Sequence, residues 1–187
     1  TFNRPDWCLR LLRQLSVAVA EIPEIDRVQV VDQGTARVMA EPGFDDVRDR
    51  LGAVLRIVEQ PNLGGAGGFA RGMVDTVDEG RSNYVLLLDD DVEIERESIR
   101  RALEFADLCR VPTIVGGQML SADSRSSLYS FGEVVDMDRF WWRSATDVEQ
   151  DHDFAERALR STPWMHRRVD VDFNGWWMCL IPVEVIN

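Results

Sequence analysis

The sequence predicts an α/β fold, with a mostly parallel sheet flanked by helices and an irregular, aromatic-rich second half. Three observations carry the prediction. Strand and helix patterns alternate over residues 1–116, the signature of a sheet with helices on its faces. Tyr84-Val85-Leu86-Leu87-Leu88 is a continuous apolar run without alternation, as in a parallel strand covered on both faces. The acidic run Asp89-Asp90-Asp91 follows it directly, at the strand end where open α/β sheets bind ligands.

Taken in order, residues 7–20 place Leu11, Leu12, Leu15, Ala18 and Val19 at helical spacing. Pro5 and Asp6 supply helix-entry chemistry. The segment before them, Thr1-Phe2-Asn3-Arg4-Pro5, reads as a loop that should follow a strand, so the chain is expected to begin one strand late. Residues 27–31 are β-branched and run into the turn Asp32-Gln33-Gly34. A second short strand covers 55–58 and gives way to Gln60-Pro61-Asn62. A glycine cluster, Gly64-Gly65-Ala66-Gly67-Gly68, then precedes a helix over 69–77. Residues 98–108 form a helix with Glu97, Arg100, Arg101 and Glu104 on its wet side, and 113–115 is another strand. Beyond it the chain is rich in Trp and Phe and reads as hairpins and loops laid over the sheet edge. The whole is one domain, with a regular half over residues 1–116 and an irregular, aromatic-rich half over 117–187.

Composition narrows the function. The 187-residue chain has 45% hydrophobic and 29% charged residues, a globular balance. No apolar run approaches the roughly 20 residues of a membrane span, and the opening residues carry no basic-then-apolar leader. A net charge of −12 argues against binding nucleic acid through its phosphates. It leaves room for one nucleotide held by local groups and a cation. Cys8, Cys109 and Cys179 are few and far apart, which supports neither a zinc site nor a disulfide framework. A reducing, cytoplasmic setting fits, with Cys8 and Cys179 as buried thiols.

The acidic triplet is the sharpest chemical feature. Two unit charges 4 Å apart repel by about 4 kcal/mol at an effective dielectric of 20, and a divalent cation relieves this. In an extended segment Asp89 and Asp91 share one side and Asp90 takes the other. One division is therefore a metal-side pair plus a carboxylate on a sugar hydroxyl. Hard oxygen ligands suit Mg²⁺ or Mn²⁺. The glycine cluster offers backbone N–H groups to a phosphate or lets a helix pack closely; both readings stay open. Trp176-Trp177, placed in a strand, face opposite sides and serve the core or a sugar ring. His152, between Asp151 and Asp153, reads as a surface histidine flanked by acids, with metal binding as the alternative. No nucleophile elbow occurs.

Taken together, ordered segments resemble a known family. They are Thr1-Phe2-Asn3-Arg4-Pro5, Asp32-Gln33-Gly34, Gln60-Pro61-Asn62-Leu63-Gly64-Gly65, Asp89-Asp90-Asp91 and Gly116-Gly117-Gln118-Met119-Leu120. Gly132-Glu133-Val134-Val135-Asp136, Asp151-His152-Asp153-Phe154-Ala155-Glu156 and Asn174-Gly175-Trp176-Trp177-Met178-Cys179 follow. The set is similar to the polymerising galactofuranosyltransferases of the mycobacterial cell-wall galactan. The resemblance implies a GT-A fold and inverting transfer from UDP-galactofuranose to a lipid-linked galactan acceptor, with Mn²⁺ or Mg²⁺ as cofactor. It also implies peripheral attachment at the inner face of the plasma membrane and a homo-oligomeric full protein. By resemblance Phe2, Arg4, Gln33, Asn62, Asp89 and Asp90 contact the nucleotide. Asp89 and Asp91 hold the metal, and Glu133, Trp142, Trp176 and Trp177 line the acceptor and sugar side. The family's catalytic base lies in a segment downstream of the Trp-Trp pair, beyond Asn187, so the chain alone is expected to hold a nucleotide without completing transfer. Two rival readings are a nucleotidyltransferase on a sugar phosphate and a non-catalytic carbohydrate-binding domain.

Overall fold

The computed structural model describes residues 1–145 and 152–186. The elements are α1 (Pro5–Glu21), β1 (Val28–Asp32), α2 (Phe44–Leu51), β2 (Leu55–Glu59), α3 (Gly64–Glu79), β3 (Tyr84–Leu88), α4 (Arg96–Leu108), β4 (Val115–Gly116) and β5 (Met119–Leu120). After them come β6 (Leu128–Ser130), β7 (Glu133–Asp136), β8 (Trp141–Ser144), β9 (Met178–Pro182) and α5 (Val183–Ile186). They fall into two compact units, Thr1–Val115 with the stretch from Leu180 onward, and Gly116–Cys179. The architecture is mixed α/β, of the GT-A-like kind.

In the first unit β1 and β2 run parallel, with Val28 opposite Leu55 and Asp32 opposite Glu59. The Thr1 nitrogen donates to Val31 O (2.8 Å), and Thr1 O accepts from the Gln33 amide (2.9 Å). This is the bonding of a parallel pair, so the opening residues run alongside β1. A second sheet has the order β3-β9-β4. The run 84–88 is less deeply covered than its apolar sequence predicts: only Leu87 is fully buried.

Hydrophobic spacing accounts for the core. Cys8, Leu9 and Leu12 of α1 meet Val28 and Val30 of β1 and Phe44, Val47 and Leu51 of α2. The last three sit at i, i+3 and i+7, one face of a helix, and they create α2 in a stretch where no element was expected. A smaller cluster joins Ala18 of α1 and Ile22 just past its end to Ile99 of α4, with Leu86 and Ile94 packed against it. Burial pushes the Cys8 thiol up to about 12, which keeps it protonated and inert.

α3 departs from expectation by starting five residues early. The glycine cluster is its first turn and a half, not a loop ahead of it. Hydrogen bonds described below hold that turn, offsetting the poor helix propensity of glycine.

The second unit consists of antiparallel pairs, as the hairpin reading has it. β5 pairs with β6, and β7 with β8, with Glu133 opposite Ser144 and Val135 opposite Trp142. An aromatic cluster fills its interior. Phe131 and Trp164 meet edge-on at 5.4 Å, and His152 contacts Trp164 at 5.3 Å and Phe154 at 4.7 Å. His152 is thus a core residue, 7% exposed. The surface reading fails because its ring is worth more packed against Trp164 than beside Asp153 in water. Asp151, its other acidic neighbour, lies outside the described residues. Trp176 and Trp177 form a turn ahead of β9, so strand alternation does not set their faces.

Candidate functional site

The opening residues and three loops of the first unit carry the residues expected to face a nucleotide. The loop after β1 is built on Asp32, whose side chain is 0% exposed. Its carboxylate accepts the Gly34 amide (3.0 Å) and the Val38 amide (2.9 Å), an Asx-type turn continued into the next segment. Arg37 donates to the Asp32 carbonyl (2.8 Å) and lies 3.4 Å from its carboxylate and 3.5 Å from that of Glu59. From the other side Asn3, in the left-handed region at φ 55°, accepts the amides of Thr35 (2.7 Å) and Ala36 (2.9 Å). Gly34 permits this approach: a Cβ there would sit 2.6 Å from the Asn3 nitrogen.

Gln33 links that loop to the start of α3. Its amide nitrogen donates to Gly64 O (3.0 Å), and its oxygen accepts Gln60 Nε2 (3.0 Å) and the Leu63 amide (2.8 Å). Asn62 Oδ1 accepts the Gly64 amide (2.9 Å). A Cβ on Gly68 would lie 3.1 Å from the Gln33 nitrogen, so this glycine makes room for Gln33. Of the two readings of the glycine cluster, close packing is therefore present.

The acidic triplet closes the site. β3 ends at Leu88, and Asp90 and Asp91 form a turn, so the alternation expected of an extended segment does not extend through them. Asp89 and Asp90 are half-buried, and Asp91 is exposed. Arg4, which caps α1, donates to the Asp91 carboxylate at 2.7 Å. Burial, then the charges of Asp91 and Asp90, push the Asp89 carboxyl above the ordinary carboxylate range, and Arg4 opposes this in part. The folded state therefore takes up this proton more readily than the unfolded chain. The resulting stabilisation is complete below the ordinary carboxylate range and lost as pH rises through the raised folded value. Asp89→Asn should accordingly raise the melting temperature at pH 7, with the gap to the parent closing as the pH falls below that window.

Among the described residues no three His, Cys, Asp or Glu side chains gather as a metal cage. A divalent cation would find one or two carboxylates here rather than a full protein cage. Mg²⁺ in particular is commonly bound by one or two carboxylates, with substrate phosphates and water completing its shell. The crowded, partly desolvated carboxylates fit such an ion.

The residues expected on the sugar side all lie in the second unit. The Glu133 carboxylate accepts the Ser130 hydroxyl (2.9 Å), and its carbonyl accepts the Asp172 amide (3.1 Å). Trp142 is exposed on the same β7–β8 hairpin. Trp176 is exposed, whereas Trp177 is half-buried. Trp177 Nε1 is buried without a hydrogen-bond partner.

Four contributors were not singled out from sequence: Asn3, Asp32, Arg37 and Gln60. The Asp-x-Gly spacing signalled the Asx turn at Asp32. Asn3 and Gln60 depend on contacts between segments remote in sequence, which no local pattern encodes.

Comparison with known proteins gives the family. Residues 1–187 match the family described as glycosyltransferase like family 2. The chain is 45% identical over 190 residues to the galactofuranosyltransferase GlfT2 of Mycolicibacterium smegmatis, covering 99% of this chain and 29% of that protein. It is 43% identical over 189 residues to GlfT2 of Mycobacterium tuberculosis, covering 99% of this chain and 30% of that protein. The chain thus spans under a third of the length of these relatives. With a family match over every residue and a strand-end acidic turn paired to Arg4, the chain belongs to glycosyltransferase family 2.

Proposed function

We propose that this chain is the nucleotide-sugar-binding region of an inverting galactofuranosyltransferase that uses UDP-galactofuranose and extends a lipid-linked galactan. The observation that carries the reading is the Arg4–Asp91 pair at the carboxyl end of β3. It joins a phosphate-binding cation and a metal-binding carboxylate from segments remote in sequence. The names of the relatives support the donor sugar.

In this reading Arg4 makes charge-assisted hydrogen bonds to the diphosphate. Phe2, exposed two residues before Arg4, covers the base, with Gln33 and Asn62 also contacting the nucleotide. Asp89 and Asp90 take the ribose and phosphate side, and Asp89 and Asp91 hold Mn²⁺ or Mg²⁺. When bound, the metal offsets the negative charge that builds on the departing UDP. Glu133, Trp142, Trp176 and Trp177 present hydroxyl acceptors and apolar ring faces to the sugars. The acceptor hydroxyl attacks the anomeric carbon as the bond to UDP breaks, and its proton must pass to a base; that role is assigned to no residue of this chain. Among the described residues no helix is long and apolar enough to cross a membrane. Apart from that, the lipid-linked acceptor is the ground for the proposed peripheral attachment at the inner membrane face, and the full protein is proposed to be homo-oligomeric.

Calorimetric titration of UDP into the intact protein, with and without Mn²⁺, tests the reading. Mn²⁺-dependent binding is expected. Binding of a nucleoside triphosphate in preference to UDP would favour a nucleotidyltransferase, and glycan binding indifferent to UDP and Mn²⁺ would leave only a carbohydrate-binding domain.

A further inference from the structure

The turn that bears the acidic triplet does not stand on β3 alone. Three residues past Asp91, the Ile94 amide donates to Gln14 Oε1 of α1 at 2.8 Å. The Ile94 side chain packs against the cluster formed by Ala18, Ile22 and Ile99. Further along, Arg96 at the start of α4 reaches the Glu21 carboxylate (2.8 Å), and Arg100 donates to the Glu21 carbonyl (3.3 Å). Gln14, Ala18 and Glu21 follow one another at i, i+4 and i+7, a single stripe of α1. With Arg4 capping the same helix and bonded to Asp91, α1 grips the segment from 91 to 100 at successive points along its length.

Gln14 is unusual within that stripe. Its neighbours contribute apolar contact or ion pairs that tolerate small shifts, whereas a backbone N–H accepted at 2.8 Å fixes one peptide plane. That plane lies between the acidic turn and α4. Without this hold the turn is left with β3, the exposed Arg4–Asp91 pair and the apolar contact of Ile94 to orient its carboxylates.

We propose that Gln14 is a positioning residue for the acidic turn: by holding the Ile94 amide it sets the placement of Asp89 and Asp91 for a nucleotide-borne divalent cation. The inference rests on the transferase reading above and adds a residue with no expected contact to nucleotide, metal or sugar. Partners that act on metal ligands at one remove typically change metal affinity by about 10–100-fold. Gln14 acts through the backbone, so the lower end applies.

The test uses Gln14→Met, which keeps the length and removes the acceptor, and Gln14→Glu, which restores one. Amide hydrogen exchange at Ile94 and calorimetry of UDP with and without Mn²⁺ are read on the intact protein. Expected for Gln14→Met are lost protection at Ile94, about tenfold weaker Mn²⁺-dependent UDP binding and unchanged metal-free UDP binding, with Gln14→Glu recovering both losses. If Gln14→Met does not fold, Gln14→Asn, which draws the acceptor back by one methylene, should show the same losses in smaller measure. Lost protection at Ile94 with unaltered Mn²⁺ dependence overturns the proposal, as does retained protection in Gln14→Met. Absence of Mn²⁺-dependent UDP binding in the unmodified protein overturns the transferase reading and takes this proposal with it, an outcome recognisable without any variant.

Discussion

Asp91→Asn is expected to remove the Mn²⁺-dependent part of UDP affinity, a loss of about a hundredfold or more. Substituting even an indirect partner of a metal ligand costs about 10–100-fold, so a direct ligand stands at or above the top of that range. Stability should hardly move. The Arg4–Asp91 pair is solvent-exposed on both sides, and such pairs contribute about 0–1 kcal/mol. A large functional loss with an unchanged unfolding midpoint would separate ligation from support of the fold. Arg4→Gln supplies the contrast: it should weaken UDP binding with and without the metal, because its proposed partner is the diphosphate itself. Titration of both variants decides the matter. Retained Mn²⁺ dependence in Asp91→Asn would reduce Arg4–Asp91 to an ordinary surface ion pair.

Asp32→Ala should produce the opposite pattern, a large loss of stability. The carboxylate is fully buried and accepts the buried amides of Gly34 and Val38 as well as facing Arg37. Leaving a buried donor unsatisfied costs about 1–3 kcal/mol, and breaking a buried ion pair on one side costs about 3–5 kcal/mol. Arg37 is only partly buried, so a total of about 4 kcal/mol is expected from urea unfolding at pH 7. Asp32→Asn keeps one acceptor oxygen and the shape, and should lose about half as much. UDP affinity should fall in parallel, because residues 33–38 lose their anchor. A loss below about 1 kcal/mol for Asp32→Ala would mean that the Asn3 contacts alone hold the loop.

The contrast between these residues shows what a sequence reveals about a site. Asp89, Asp90 and Asp91 are conspicuous because three adjacent carboxylates have a cost that asks for an explanation. Asp32 sits in an equally plain Asp-Gln-Gly turn, yet its importance comes from burial, and burial is a property of the packed chain. Gln33 was expected beside a nucleotide from resemblance alone. In the structure its amide braces the start of α3, which also explains why Gly68 carries no side chain. His152 illustrates the converse error. Its acidic neighbours suggested water or metal, and the aromatic rings that enclose it are Trp164, twelve residues on, as well as the adjacent Phe154.

The sequence by itself determined the α/β class, the elements α1, β1, β2, β3 and α4, and the strand-end position of the acidic triplet. Each rests on local periodicity or on the repulsion of adjacent charges, and both operate within a few residues. Tertiary structure alone decided that the glycine cluster is helix rather than loop, that Arg4 meets Asp91, and that Gln14 holds the turn beyond it. These depend on segments separated by 31, 87 and 80 positions, brought together by burial of two clusters, one joining α1, β1 and α2 and the other joining α1 to α4. No local rule carries that information, because the free energy that selects it belongs to the folded chain as a whole.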